Sequence, residues 1–358
     1  MRGGPGRMRL FPKDRDLSEG TERVELRVRA SDFQTRRDEL EIRLDHFLTR
    51  YLPWRSRSQV QGLIREERIL VDAATPDHPR GNGELLVERR PGRRLHDGTR
   101  VVIVIPEELR LPVTSQFPDE LEILWEDEDA LAVDKPPMLT VHPAGRHLTD
   151  TLIQKVHAIY GSRALPRSSR PRLCHRLDRE TSGIVLIGKH PRAHSALMQQ
   201  FENREVSKEY LAVVQGSPEL EGGVIDHALG PARASAIQIK MTTVARGLAS
   251  RTEWNVVRRH RGCTLVACRP LTGRQHQIRV HMAAIGHPLV GDKLYGPDEQ
   301  YFQRAADGTL TDADLAALEF PRQALHAHRL SFTSPRTGAR VEVVSPLARD
   351  LAAFLERR

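Results

Sequence analysis

Ile184-Val185-Leu186-Ile187 is an unbroken apolar run with Gly183 before it and Gly188 after it. Short, rich in β-branched residues and bounded by glycines, it reads as a buried strand. Just upstream stand Arg176, Asp178 and Arg179. Charges beside a buried strand are costly unless they are paired, so this junction restricts the chain more than any other stretch. An aspartate between two arginines at a strand entrance has two readings. It is an ion pair within a turn, or a carboxylate kept ionised by its neighbours and held where it can reach a cleft. A carboxylate of the second kind can act as a nucleophile. These residues alone leave both readings open.

Other chemistry finds less support. Gly183 to Lys189 has the G-x4-G-K spacing of a phosphate loop, but His190 stands where Ser or Thr must hold magnesium, and the run between is strand-like. His175, His276, His281, His287, His326 and His328 form no HExxH pair, and no metal site is expected from them. Cys174, Cys263 and Cys268 form no CxxC pair, so neither a zinc site nor a disulfide framework is expected, which suits a reducing compartment. There is no Gly-x-Ser-x-Gly elbow. No apolar stretch approaches the roughly 20 residues of a spanning helix, and the first residues lack a signal-peptide core. No membrane association is expected, and the expected location is the cytoplasm.

A length of 358 residues suits two domains. The net charge of +8 favours a polyanionic partner such as RNA or DNA. Residues 1–20 are expected to be a flexible tail. Val24, Leu26 and Val28 alternate with charges, as in a half-buried strand. Leu44, Phe47, Leu48 and Tyr51 share one helical face, which Pro53 ends. A second helix carries Val60, Leu63 and Ile64, with Ser56 or Ser58 as its cap. Residues 69–72 and 101–106 read as short strands, separated by a long loop, 73–97. The arginines around this second helix make either an RNA-backbone surface or a solvated basic face.

Residues 107–119 form a linker. Strand, acidic turn and strand follow over 121–136. Thr149 can cap a helix bearing Leu152, Ile153, Val156 and Ile159, and Pro191 suits the first turn of another bearing Leu197, Met198 and Phe201. Val206, Lys208, Tyr210, Ala212 and Val214 share one face of a strand. Thr272 precedes a helix over 273–286 with Ile278, Met282 and Ile285 as its buried stripe, stopped by Gly286 and Pro288. Late strands occupy 325–332 and 339–346. Strands dominate without a strict βαβ rhythm, so the expected class is α+β with a mixed sheet.

His175 to Gly183, HRLDRETSG, resembles the HRLDxxTSG signature of the RluA/RluD branch of pseudouridine synthases. Residues 133–143, 207–214, 271–296 and 325–332 resemble further blocks of that family, in the same order. The likeness covers about 120–348, and several long motifs in register are far more specific than one short pattern. Residues 21–106 resemble the S-four-like RNA-binding domain found at the front of many such enzymes, although the 73–97 segment is longer than the usual link there. The resemblance implies a largely antiparallel mixed sheet with flanking helices, a catalytic domain over 120–358, and isomerisation of uridine to pseudouridine in RNA without metal or cofactor.

The same resemblance supplies site roles. Asp178 matches the essential aspartate, Arg279 the basic residue that pairs with it, and Tyr210 the tyrosine that stacks on the target base. Arg176 matches a residue that fills the space left by a flipped base. Arg179, Lys208 and Arg274 are expected as phosphate or scaffold residues, and Arg43 and Arg57 as RNA contacts of the front domain. Ribosomal RNA of the large subunit is the expected substrate of a monomeric enzyme. The same chemistry on transfer RNA and a non-catalytic RNA-binding or ribosome-assembly factor are the alternatives.

Overall fold

The computed structural model describes residues 23–33, 35–51, 57–72, 83–104, 120–143, 150–161, 170–237 and 239–358. The expected tail 1–20, linker 107–119, Pro53, Ser56 and Thr149 lie outside them. The chain divides into two compact units, Met1–Pro118 with His142–Arg167, and Asp119–Val141 with Ser168–Arg358.

In the first unit β1 (Arg23–Arg27), β2 (Ile42–Arg43), α1 (Leu44–Tyr51), α2 (Arg57–Arg65), β3 (Ile69–Asp72), β4 (Leu86–Val87), β5 (Arg94–Leu95) and β6 (Arg100–Val104) follow in order. β1, β6, β3 and β4 form an antiparallel sheet in that spatial order, and β2 pairs with β5. Leu44, Phe47 and Leu48 of α1 meet Val60, Leu63 and Ile64 of α2 in one core, so the helical spacing read from the sequence is the packing stripe. Two short strands, β4 and β5, interrupt the stretch expected as loop, and Ser58 lies within α2 rather than before it. Helix α3 (Leu152–Gly161) belongs to this unit too. Its start is fastened by Thr151, whose N–H and hydroxyl both donate to Gln154 Oε1 at 2.9 and 2.8 Å.

The second unit contains β7 (Glu122–Glu126), β8 (Ala130–Lys135), β9 (Arg172–Leu173), β10 (Ser182–Gly188), α4 (Pro191–Glu202), β11 (Ser207–Gln215), β12 (Gly222–Ile225), β13 (Leu229–Pro231), β14 (Met241–Thr243), β15 (Thr252–His260), β16 (Cys263–Pro270), α5 (Gln277–Ala284), α6 (Gln300–Asp307), α7 (Asp312–Leu318), β17 (Leu325–Thr333), β18 (Arg340–Val344) and α8 (Arg349–Glu356). Its main sheet is ordered β12-β15-β16-β11-β17-β10-β8-β7, with β18 on β17 and β9 on β10. All pairings are antiparallel except β10 with β17. The class is α+β. Every residue of β10 is buried, which is why its sequence is a continuous apolar run rather than an alternation.

β11 shows what the sheet packs against. Ala212 and Val214 meet Ile278 and Met282 of α5 on one face, while Val213 meets Leu351, Phe354 and Leu355 of α8 on the other. Ile184 and Leu186 of β10 meet Leu197 of α4. Helix α5 begins four residues later than its sequence predicts. Gln277 is the reason: its Oε1 accepts from the Thr272 hydroxyl and the Arg274 N–H, and its Nε2 donates to Arg251 O and the Thr252 hydroxyl. That clamp holds 272–276 as a loop, and Thr272 fastens the loop instead of capping the helix.

Gly183 joins the charged turn to β10 at φ +106°, a conformation that disfavours side chains. A Cβ there would stand 2.3 Å from Ala327 O and 2.7 Å from Ala327 N, inside the parallel pairing with β17. Gly183→Ala is therefore expected to cost at least about 3 kcal/mol. Urea unfolding of the variant beside the parent measures this, and an unchanged midpoint would show that the two strands separate without cost.

Candidate active site

Asp178 lies on the turn between β9 and β10, its side chain 25% exposed. Arg279 of α5 donates from Nη1 to Asp178 Oδ2 at 2.9 Å. Gln323, just before β17, donates to the same oxygen at 3.2 Å and to the Thr181 hydroxyl at 2.7 Å. Among the described residues no hydrogen bond reaches Oδ1, and His276 Nε2 lies 3.8 Å from it, beyond hydrogen-bonding length. One carboxylate oxygen is pinned by two donors and the other is left open toward the cleft.

Arg279 is buried and serves two carboxylates. Its Nε and Nη2 bind Asp292 in a fork at 2.7 and 2.8 Å, and Nη1 is left for Asp178. Asp292 is fully buried and is satisfied further by the N–H groups of Leu294 and Tyr295 at its Oδ1. The Tyr295 ring lies 4.9 Å from the guanidinium carbon. Burial works against the Asp178 charge, but the Arg279 cation overrides it and holds the carboxyl at about 2. Burial likewise opposes the Arg279 charge, and the attraction of Asp292 and Asp178 outweighs it, so the guanidinium is held above its ordinary range.

The turn itself is fastened from beneath. Lys135, the last residue of β8, is fully buried and donates all three ammonium hydrogens, to the carbonyls of Pro136, Leu139 and Arg179 at 2.8, 2.8 and 3.1 Å. Arg322 donates to the carbonyl of Glu180 and the hydroxyl of Ser182, and forks onto Asp350 of α8. Glu180 accepts from Lys293 and from the Gln323 N–H. His175 Nε2 accepts from the Leu186 N–H, so its ring holds the turn to β10. Of the charges beside the buried strand, Asp178 is paired with Arg279, while Arg176 and Arg179 are exposed.

A cleft of about 1,020 Å³ opens over Asp178, as large as the roughly 300–1,000 Å³ of typical ligand sites. Of the residues singled out from the sequence, Asp178, Tyr210, Arg279, Arg176, Lys208 and Arg274 all line it. Tyr210 projects from β11 beside Asp178, and burial, then that negative charge, push its phenol up. Burial pulls the Lys208 ammonium below its ordinary range. Arg176 is exposed at the rim, and Arg274 donates to Ala249 O. Arg179 is absent from the lining, and its Nε donates to Met138 O. Arg43 and Arg57 lie in the first unit, where buried Asp45 grips both guanidinium groups and Gln61 as well. Among the described residues, no group of three or more His, Cys, Asp and Glu is arranged to hold a metal ion, and no helix is long and apolar enough to cross a membrane.

Sequence reasoning missed Asp292, Gln323, Lys135 and Arg322. Asp292 sits in Gly291-Asp292-Lys293, where a buried carboxylate has no periodic signature. Gln323 is neutral and precedes a strand by two residues, so nothing local marks it.

The sequence model described as RNA pseudouridylate synthase matches residues 129–284. A Bacillus subtilis (strain 168) protein described as uncharacterized RNA pseudouridine synthase YlyB is 35% identical over 315 residues, covering 88% of this chain and 93% of that one. The ribosomal large subunit pseudouridine synthase D of Pseudomonas aeruginosa is 37% identical over 313 residues, covering 87% and 91%. Among solved structures, human RNA pseudouridylate synthase domain containing 1 superposes with a TM-score of 0.51 at 27% identity, over 66% of this chain and 88% of that one. With relatives of this identity aligned along most of its length and a buried-strand turn that carries Asp178 into an open cleft, the chain belongs to the RluA/RluD-type RNA pseudouridine synthase family and is an enzyme that acts on RNA.

Proposed function

We propose that this enzyme converts particular uridines of large-subunit ribosomal RNA to pseudouridine, with the Asp178 carboxylate as its essential catalytic group. The observation that carries the reading is the 2.9 Å contact from Arg279 to Asp178 on the floor of a cleft that Tyr210 also lines. The reaction breaks the bond from ribose C1′ to uracil N1, turns the base, and joins C5 to C1′; a proton leaves C5 and one is taken on at N1, so no atoms are gained or lost. The base must first leave the stack. Oδ1 of Asp178 is the oxygen with room to engage the ribose, while Oδ2 is held by Arg279 and Gln323. Tyr210 stacks on the flipped uracil, a contact of about 1–3 kcal/mol. Arg176, exposed at the rim, fills the gap that the base leaves, its planar guanidinium able to stack and to hydrogen-bond together. Lys208 and Arg274 contact phosphate.

The name borne by the Pseudomonas relative supports the choice of large-subunit ribosomal RNA. In the first unit, buried Asp45 fixes the half-exposed Arg43 and Arg57 on an S-four-like domain, and the two contact the RNA backbone there. The enzyme works as a monomer in the cytoplasm.

Asp178→Asn keeps the shape and removes the charge. It is expected to lower pseudouridine formation by more than about 10³-fold while RNA affinity stays within about twofold. Mapping pseudouridines in total RNA from cells carrying either form tests both the residue and the RNA; normal turnover by the variant, or modification confined to transfer RNA, would refute the corresponding half.

Because the folded carboxyl is held at about 2, Asp178 is ionised at neutral pH and loses its charge only as pH falls through that value. Single-turnover rates between about pH 5 and 8 are expected to show no carboxylate limb. A limb with a midpoint near 5 would mean that Arg279 does not hold the charge.

RNA affinity is expected to fall linearly with the logarithm of salt concentration, and Arg274→Gln to lower that slope by about one. A slope that the substitution leaves unchanged would make Arg274 a scaffold residue.

A further inference from the structure

His276 is wired for a purpose that the pairing of Asp178 with Arg279 does not cover. It precedes α5 in the left-handed region, φ +56° and ψ +20°, and its side chain makes no cap to the helix. Instead Nδ1 lies 2.8 Å from Tyr295 Oη, which also accepts the Met241 N–H at 2.9 Å. A phenol has one hydrogen, and leaving it without an acceptor inside the protein is costly. Tyr295 therefore donates to Nδ1, and the imidazole hydrogen sits on Nε2. That N–H faces the cleft, 3.8 Å from the open oxygen of Asp178, and meets no acceptor at hydrogen-bonding distance among the described residues. Burial, only partly opposed by Asp178, pulls the ring to about 4, with Arg279, Asp292 and Arg176 the other charges facing it, so it is neutral in the cell.

The chemistry calls for a donor at this point. When the bond from C1′ to N1 breaks, the electron pair stays with the uracil, and its charge spreads over N1, O2 and O4. Arg279 is already committed to Asp178 and Asp292, and the Gln323 amide to Asp178 and Thr181. We propose that His276 is a further catalytic residue, whose neutral Nε2–H donates a hydrogen bond to the detached uracil and holds the charge that the base carries off. No proton passes to or from the ring; Tyr295 is the positioning residue that fixes which nitrogen bears the hydrogen. The backbone conformation of His276 brings Nδ1 to Tyr295 and Nε2 to the cleft at once, and Gln277 fastens the loop that enforces it. This inference rests on the reading of Asp178 given above.

The test compares His276→Leu and His276→Gln with the parent on RNA carrying uridine or 5-fluorouridine at the target, with Asp178→Asn alongside. Disappearance of the starting nucleotide is followed in single turnovers. Fluorine stabilises the detached base by itself, so a donor to that base matters less. The leucine variant is expected to slow the uridine reaction by about 10²-fold with RNA affinity within about twofold. Its deficit on 5-fluorouridine is expected to be smaller by about tenfold. The glutamine variant, whose amide N–H can stand where Nε2–H stands, recovers most of the rate. Equal deficits on both RNAs, or a normal rate in the leucine variant while Asp178→Asn is inactive, overturn the proposal. An active Asp178→Asn overturns the reading beneath it instead. Should the leucine variant not fold, Tyr295→Phe, which keeps the ring over Arg279 and releases the tautomer, must show the same substrate-dependent deficit, and an equal one again refutes the role.

Discussion

One guanidinium divided between two carboxylates underlies this site. Arg279 gives two of its hydrogens to Asp292 and a third to Asp178. Arginine suits the task because its donors are planar and fixed, and because it stays charged when buried. The division of labour is unequal. Asp292 takes the fork and is itself satisfied by two backbone N–H groups, so it orients the cation. Asp178 takes a single bond and retains an unpinned oxygen. An Arg279 bound to Asp178 alone could close both carboxylate oxygens in one fork; with Asp292 occupying that fork, the pair cannot seal itself shut.

The scaffold beneath obeys the same economy of polar groups. A turn packed against a fully buried strand presents carbonyls that water cannot reach, and each must find a donor. Lys135 and Arg322 supply donors in bulk: Lys135 gives two to the segment after β8 and one to the catalytic turn, and Arg322 gives several to the junction of that turn with β17. Both side chains are buried, yet neither is isolated: Lys135, whose ammonium burial pulls down to about 7, is ringed by carbonyl dipoles, and Arg322 is forked onto Asp350. The result is a loop tied down at several carbonyls, which is what an aimed carboxylate requires.

Much of this was legible before any coordinates. The apolar run 184–187 announced a doubly covered strand, the alternation in 206–214 gave the face bearing Tyr210, and the stripe Ile278, Met282 gave the inward side of α5. The family resemblance, with Arg279 in its 271–296 block, implied the pairing with Asp178 that the structure shows across 101 residues. Legibility failed where a side chain, rather than a period, decides the backbone. Gln277 delays α5 by hydrogen-bonding a loop that otherwise has helical composition. Asp292 and Gln323 act through single long-range contacts that leave no repeat in the sequence. Asp45 shows the converse: Arg43 and Arg57 look like free surface charge in the sequence, and both prove to be held by a carboxylate with no exposed area.

The central strand carries a temporal consequence. β10 is bordered on one side by β8, made earlier in the chain, and on the other by β17, made about 140 residues later at 325–333. While a ribosome is still extending the polypeptide, Ser182 and Gly183 have no neighbour where β17 belongs. Gln323 and Arg322 emerge in the same late segment. The nascent protein thus carries an open edge there while about 140 of its 358 residues are made, and the segment that closes this edge also brings Gln323 to Asp178.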